Sequence, residues 1–133
     1  MSLSTGITIA RRGPPRNGEF GYPVAPGEKV FSGGAVGLNA AGQMVRPQTS
    51  GCVVLIGIAD RTLDNSASAV ASDERVVAMR GTFALAVTGG TASKITAAVY
   101  ASDDNTFTVT NSGSLLAVGT LAGIEGSQTY VQI

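Results

Sequence analysis

Over most of the chain, short apolar runs alternate with turn residues. Residues 52–59 form a continuous apolar run that is rich in β-branched side chains and too short for a typical helix. This run predicts a strand buried on both faces. Residues 82–87 alternate instead, with Phe83, Leu85 and Val87 on one side, which predicts a strand with one buried face. Further strands are predicted at residues 28–31, 35–38, 43–45, 75–80, 106–110, 115–124 and 128–133.

Turn signals separate these runs. Residues 39–42 suit a hairpin in which Gly42 takes the left-handed conformation. Residues 103–105 suit a second hairpin turn, and residues 60–73 are expected to form a surface loop. Residues 95–101 fit either a strand pair or a short irregular piece. Because no convincing amphipathic helix occurs, the predicted fold is all-β, a small antiparallel sandwich or barrel of short strands.

The N-terminal stretch differs from the rest. Residues 1–26 hold four of the five prolines, and three arginines precede the first acidic residue. Two adjacent prolines remove two hydrogen-bond donors from any strand ladder. We therefore expect an extended arm at 1–26 and a single β domain at 27–133. Three roles for the arm are considered. Docking on another subunit or protein ranks first, a disordered solvated tail second and binding of nucleic acid third. The predicted contact residues are Arg11, Arg12, Pro14, Pro15 and Arg16.

Composition narrows the classes of partner. Nine basic residues balance nine acidic ones, so the chain has no net field that would steer it onto nucleic acid or an anionic membrane. Charged residues are only 14% of the chain, which predicts a surface that is partly covered in the working state. The single cysteine excludes an intrachain disulfide and fits a reducing compartment. No signal peptide or membrane-length apolar run is evident, so we expect a soluble product made in the cytoplasm.

Candidate catalytic groups are scarce. The chain has no histidine, the commonest general base and metal ligand. Cys52 heads an apolar run and is predicted to be a buried, inert thiol. Asp103 and Asp104 are adjacent, so on a strand they would point to opposite faces and could not share a proton or a metal. The acidic residues of the 60–73 loop match no EF-hand spacing. We therefore expect no catalytic residue, no cofactor and no metal site.

The order of several segments resembles a known family. These segments are PGEKV at 26–30, VGLNAAG at 36–42, IGIAD at 56–60, VVAMRGTF at 76–83, VYASDDNT at 99–106, VGTL at 118–121 and YVQI at 130–133. Together they are similar to the cement, or head decoration, proteins of tailed bacteriophages, and the similarity runs from about residue 26 to the end. Each motif alone is a generic strand and turn, so the resemblance depends on their order.

The resemblance implies a structural virion protein. Such proteins are β-rich modules that typically sit as homotrimers on the outside of the phage head, where they stabilise the lattice of the major capsid protein. The expected partners are thus the major capsid protein and further copies of the chain, with no nucleic acid and no membrane. A phage tail or baseplate adaptor, or a fibre-associated binding module, is the alternative. A small hydrolase or carbohydrate-binding domain is a weaker alternative, because the chain lacks both Trp and His.

Overall fold

The chain folds almost entirely into short strands. The computed structural model describes residues 2–12, 19–111 and 113–133, with Arg11 and Arg12 described by their backbone alone. The strands within these ranges are β1 (Arg11–Arg12), β2 (Gly21–Pro23), β3 (Lys29–Val30), β4 (Ala35–Asn39), β5 (Met44–Val45), β6 (Cys52–Ala59), β7 (Leu63–Asp64), β8 (Arg75–Met79), β9 (Thr82–Ala84), β10 (Val87–Thr88), β11 (Ala98–Asp103), β12 (Thr106–Thr108), β13 (Leu116–Glu125) and β14 (Gln128–Gln132). One short 3₁₀ turn, Ala92–Lys94, precedes β11.

The strands form three sheets. The largest has the order β1-β9-β14-β13-β11-β12-β10, the second has the order β2-β8-β6-β4-β5, and β3 pairs with β7 in a third. The pairing is antiparallel except between β10 and β12. The sheets are open and pack face to face, so the all-β prediction is confirmed as a sandwich and not a closed barrel.

Two hydrophobic clusters hold the layers together. The first lies between the two large sheets, where Ile58 of the five-stranded sheet packs with Phe83, Leu121 and Val131 of the seven-stranded one. The second lies on the opposite face of the five-stranded sheet, beneath β3 and β7. Its members are Val24, Val30, Val36, Met44, Ala59, Leu63, Val76 and Ala78. The five-stranded sheet is thus a central layer covered on both sides.

Strand β6 shows where the burial prediction holds and where it is wrong. Its C-terminal half is buried on both faces, because Ile58 belongs to the first cluster and Ala59 to the second. Its N-terminal half is not, since Val53 is 57% exposed and Val54 is 45% exposed. The covering layers do not reach this half of the strand.

Both predicted hairpins are present. Gly42 has a φ of 77° in the turn between β4 and β5, a conformation that glycine adopts without the steric cost of a side chain. Asp104 and Asn105 form the turn between β11 and β12, where Asp103 pairs with Thr106.

The N-terminal segment lies against the sheets of its own chain. It is extended, as expected, but β1 pairs with β9 and β2 pairs with β8. The Ile7 N–H donates to the Ser32 carbonyl at 2.7 Å, and Ile9 packs against the first cluster. Val24 is fully buried. In its described parts, the segment is therefore built into the sandwich, because its apolar residues bury against residues 27–133 and its backbone completes two sheet edges.

Candidate functional site: an apolar groove beside a free strand edge

Glu28 is a buried acidic residue with several hydrogen-bond partners. It is only 4% exposed. Its carboxylate accepts from the backbone N–H of Lys29 and of Arg46, both at 3.0 Å, and from the Thr49 hydroxyl. The Arg46 guanidinium adds Nε at 3.1 Å and Nη2 at 2.9 Å. The carboxylate therefore ties the start of β3 to the turn that follows β5.

The protonation of Glu28 follows from these contacts. Burial alone would raise the pKa of its carboxyl group. The hydrogen bonds from Thr49, Arg46 and Lys29, with the positive charge of Arg46, outweigh burial and hold the pKa below its ordinary value. Glu28 is thus a charged structural link, and all its contacts are internal to the fold.

Asp104 is the second buried acid among the described residues, at 1% exposure. Its Oδ1 accepts from the Leu3 N–H at 2.9 Å, whereas its Oδ2 has no partner among the described residues. Burial raises the pKa of this carboxyl group, because the charged form loses hydration. Through Leu3, Asp104 links the N-terminal segment to the β11–β12 turn. Its backbone carbonyl also accepts from the Ala35 N–H at 2.8 Å, which ties the same turn to the start of β4.

Replacing Asp104 by asparagine tests whether burial raises the pKa of this carboxyl group. A raised pKa means that folding opposes ionisation, so Asp104 reduces stability increasingly as pH rises above the ordinary pKa of aspartate. The amide keeps an acceptor for Leu3 and carries no charge. Asp104→Asn should therefore be more stable than the wild type at neutral pH, by about 1 kcal/mol, with the advantage disappearing in acid.

Urea unfolding of both proteins across a pH series measures this difference. The matched control is Asp103→Asn, which makes the same charge change at the neighbouring, half-exposed position. If Asp104→Asn is less stable than the wild type at neutral pH and has the same pH profile, the raised pKa assigned to Asp104 is wrong.

Cys52 offers little reactivity. The thiol is half-buried rather than fully buried, and its Sγ lies 3.7 Å from the Val54 carbonyl oxygen. Burial raises the pKa of the thiol, so the nucleophilic thiolate is a smaller fraction at neutral pH. Among the described residues, no three metal-binding side chains come together as a candidate metal site.

The most conspicuous surface feature is an apolar groove of about 400 Å³ between the two large sheets. Its lining includes Phe20, Tyr22, Val54, Ile56, Val118 and Ile133. Phe20 is 64% exposed and Val54 is 45% exposed. Exposed apolar residues that collect in one place, as opposed to being scattered, mark a surface that another molecule covers.

The groove runs beside an unpaired strand edge. On the side away from β4, β6 pairs with β8 only at Ile58 and Ala59. Within the described ranges, residues 52–57 meet no strand on that side, because β8 ends at Met79 and the chain turns through Gly81 into the other sheet. Free strand edges are sites at which proteins add other chains.

The lining of the groove includes one basic residue, Arg80. Arg80 lines it and is exposed, and its guanidinium has no partner in the part of the chain that the structure describes. Its backbone N–H donates to Glu19 Oε2 at 2.5 Å. The site therefore presents an apolar wall that ends at the Arg80 guanidinium, with the Glu19 carboxylate held on the Arg80 backbone. This arrangement suits binding of a surface that combines apolar and acidic side chains.

The structure describes only part of the set of residues predicted from sequence to contact a partner. Arg11 and Arg12 form β1, with backbone paired to Phe83 and Thr82. Pro14, Pro15 and Arg16 lie outside the described residues, so their predicted role stays a prediction.

Sequence reasoning missed the groove itself. Phe20 and Arg80 are far apart in the chain, and only the folding of β2 and β8 into one sheet brings them to the same place. The sequence carries no local signal for it, because Val54, which lines the groove, lies in the run predicted to be buried.

Comparisons with known proteins add no family. No protein-family model matches the chain, and no match was found among curated proteins or solved structures. In the described ranges, no helix is long and apolar enough to cross a membrane.

Proposed function

We propose that this protein is a capsid cement protein that binds the outside of a tailed-phage head and stabilises the lattice of the major capsid protein. The observation that carries the proposal is the meeting of two exposed apolar residues, Phe20 and Val54, at one groove of a small β sandwich. The buried acids of the described region are engaged inside the fold. A module built in this way acts by adhesion to other proteins.

The proposal also accounts for the sparse surface charge. Charged residues are 14% of the chain, and a surface with few charges is poorly protected against association. If capsid protein and further copies of the chain cover this surface, it is no longer open to nonspecific association. In a homotrimer, three weak capsid contacts reinforce one another, because the first contact raises the effective concentration of the other two. The proposed partners are protein surfaces, with no role for nucleic acid or membrane.

Co-sedimentation with phage heads tests the proposal. Empty expanded heads of the source phage are mixed with the purified protein, and unexpanded heads serve as the control because their capsomer junctions are arranged differently. We expect the protein to pellet with expanded heads and to remain in solution with unexpanded ones. Protein that stays in the supernatant with both kinds of head would contradict a cement function.

A further inference from the structure

A second apolar feature stands at the far end of β8, on the loop between β7 and β8. Val70 is 68% exposed on this loop, which makes it the most exposed large apolar side chain in the described ranges. Hydrogen bonds within the loop fix the Val70 backbone: its carbonyl accepts from Asn65 Nδ2 and from Ser68 Oγ, both at 2.9 Å. The Val70 N–H donates to Ser68 Oγ at 3.2 Å.

The same loop is fastened to the sheet on its other side. The Ser72 N–H donates to the Val24 carbonyl at 3.0 Å, and Ser72 Oγ accepts from the Val24 N–H at 2.8 Å. Because both sides of Val70 are anchored in this way, its exposure results from a structured loop that presents it. We call residues 65–73 the Val70 loop.

The Val70 loop also carries an unpaired negative charge. Asp73 is exposed and, like Arg80 at the groove, has no side-chain partner among the residues that the structure describes. Its neighbour Glu74 lies 3.8 Å from the Arg61 guanidinium. The chain therefore displays an apolar side chain with an acid three residues away, and separately an apolar groove with a base beside it.

These complementary surfaces cannot meet within one molecule. The Val70 loop enters β8 at Arg75, and Arg80 follows the last residue of that strand. Five residues of strand separate the two ends by about 17 Å. The loop and the groove thus lie at opposite ends of the five-stranded sheet.

We propose that the Val70 loop of one copy seats in the groove of a second copy, with Val70 against Phe20 and Val54 and with Asp73 paired to Arg80. The occupant is a second copy because one chain carries both halves of the contact, apolar and charged. The contact joins different surfaces, so it repeats from copy to copy and closes into a ring or continues as a filament. Closure at three copies rests on the proposed cement function; the contact itself does not.

Charge reversal tests the contact. Arg80→Glu and Asp73→Arg each place like charges across it, and each should weaken self-association about tenfold, measured by light scattering and sedimentation over a concentration series. The double variant restores opposite charges with their positions exchanged and should recover most of the association. Lys94→Glu is the matched control, because it makes the same charge change at an exposed residue outside the groove.

Two results would overturn the inference. One is a wild-type protein that stays monomeric throughout the series. The other is a double variant that associates no better than the single variants, since Arg80 and Asp73 would then not face each other across the contact. These results are distinct from a test of the cement function. If the protein is monomeric but still pellets with expanded heads, only the proposed contact is wrong. If the double variant recovers association but the protein does not bind heads, only the cement function is wrong.

Discussion

Replacing Glu28 by alanine is expected to lower the free energy of unfolding by about 3–5 kcal/mol, a large part of the stability of a domain of this size. The substitution removes the acceptor for two backbone N–H groups and for Thr49, and it leaves the half-buried Arg46 guanidinium without its ion pair. Urea denaturation followed by circular dichroism measures the loss. The matched control is Glu74→Ala, an exposed acid in a loose ion pair, which should change stability by less than about 1 kcal/mol.

The pH dependence provides a second readout for Glu28. Its pKa is lower in the folded state, so its contribution is fully present above the ordinary pKa of glutamate and is lost as pH falls through the lowered value. The wild type should therefore lose stability in acid more steeply than Glu28→Ala. Parallel acid profiles for the two proteins, or equal costs for Glu28→Ala and Glu74→Ala, would contradict the structural role assigned to this carboxylate.

Replacing Gly33 by alanine is expected to cost about 2–5 kcal/mol and to loosen the N-terminal segment. Gly33 has a φ of 81°, which strains any residue with a side chain. A Cβ there would also lie 2.3 Å from the Ile7 carbonyl oxygen, so the backbone that crosses Gly33 must move. Hydrogen exchange should show the amide of Ile7, which donates to Ser32, losing protection first.

Gly27→Ala separates the strain of a positive φ from the clash of a Cβ with a neighbouring backbone. Gly27 has a φ of 73°, but a Cβ there would meet nothing within 4 Å. This control should show the backbone strain alone, about 1–2 kcal/mol, with the N-terminal segment still protected. Equal costs at the two glycines, with no change in exchange at Ile7, would mean that residues 2–12 do not depend on the close approach at Gly33.

Local chemistry was sufficient to predict most of the strands. The bounds of β6 follow from an uninterrupted apolar run, and the alternation at 82–87 correctly places Phe83 and Leu85 in the core. The turn containing Gly42 follows from the steric freedom of glycine at positive φ. These features could be predicted because they depend only on residues that are neighbours in the sequence.

Features that depend on distant residues escaped prediction. The exposure of Val53 and Val54 depends on where the covering layers end, which no local pattern records. The burial of Glu28 and Asp104 depends on partners such as Arg46 and Leu3 that are remote in sequence. The Pro- and Arg-bearing composition of residues 1–26 suggested a separate arm, but the strand partners available to β1 and β2 lie in the β domain and are visible only in the fold.

The candidate site depends even more on residues that are distant in sequence. Low charge density predicted that part of the surface is covered, but it did not say which part. The groove forms only when Phe20 of the N-terminal segment, the free half of β6 and Arg80 after β8 come together. We therefore place the expected protein contacts at this groove in addition to the five residues predicted from sequence.

The binding of the purified protein to empty expanded phage heads tests the central claim most directly, when it is carried to saturation. The cement function predicts that bound protein increases to a fixed ratio with the major capsid protein, set by the number of capsomer junctions on the shell. It also predicts that the saturated heads withstand heating better than bare heads. Saturation at a single ring per head would indicate an adaptor at one vertex, and that result, or no binding at all, would contradict the cement function.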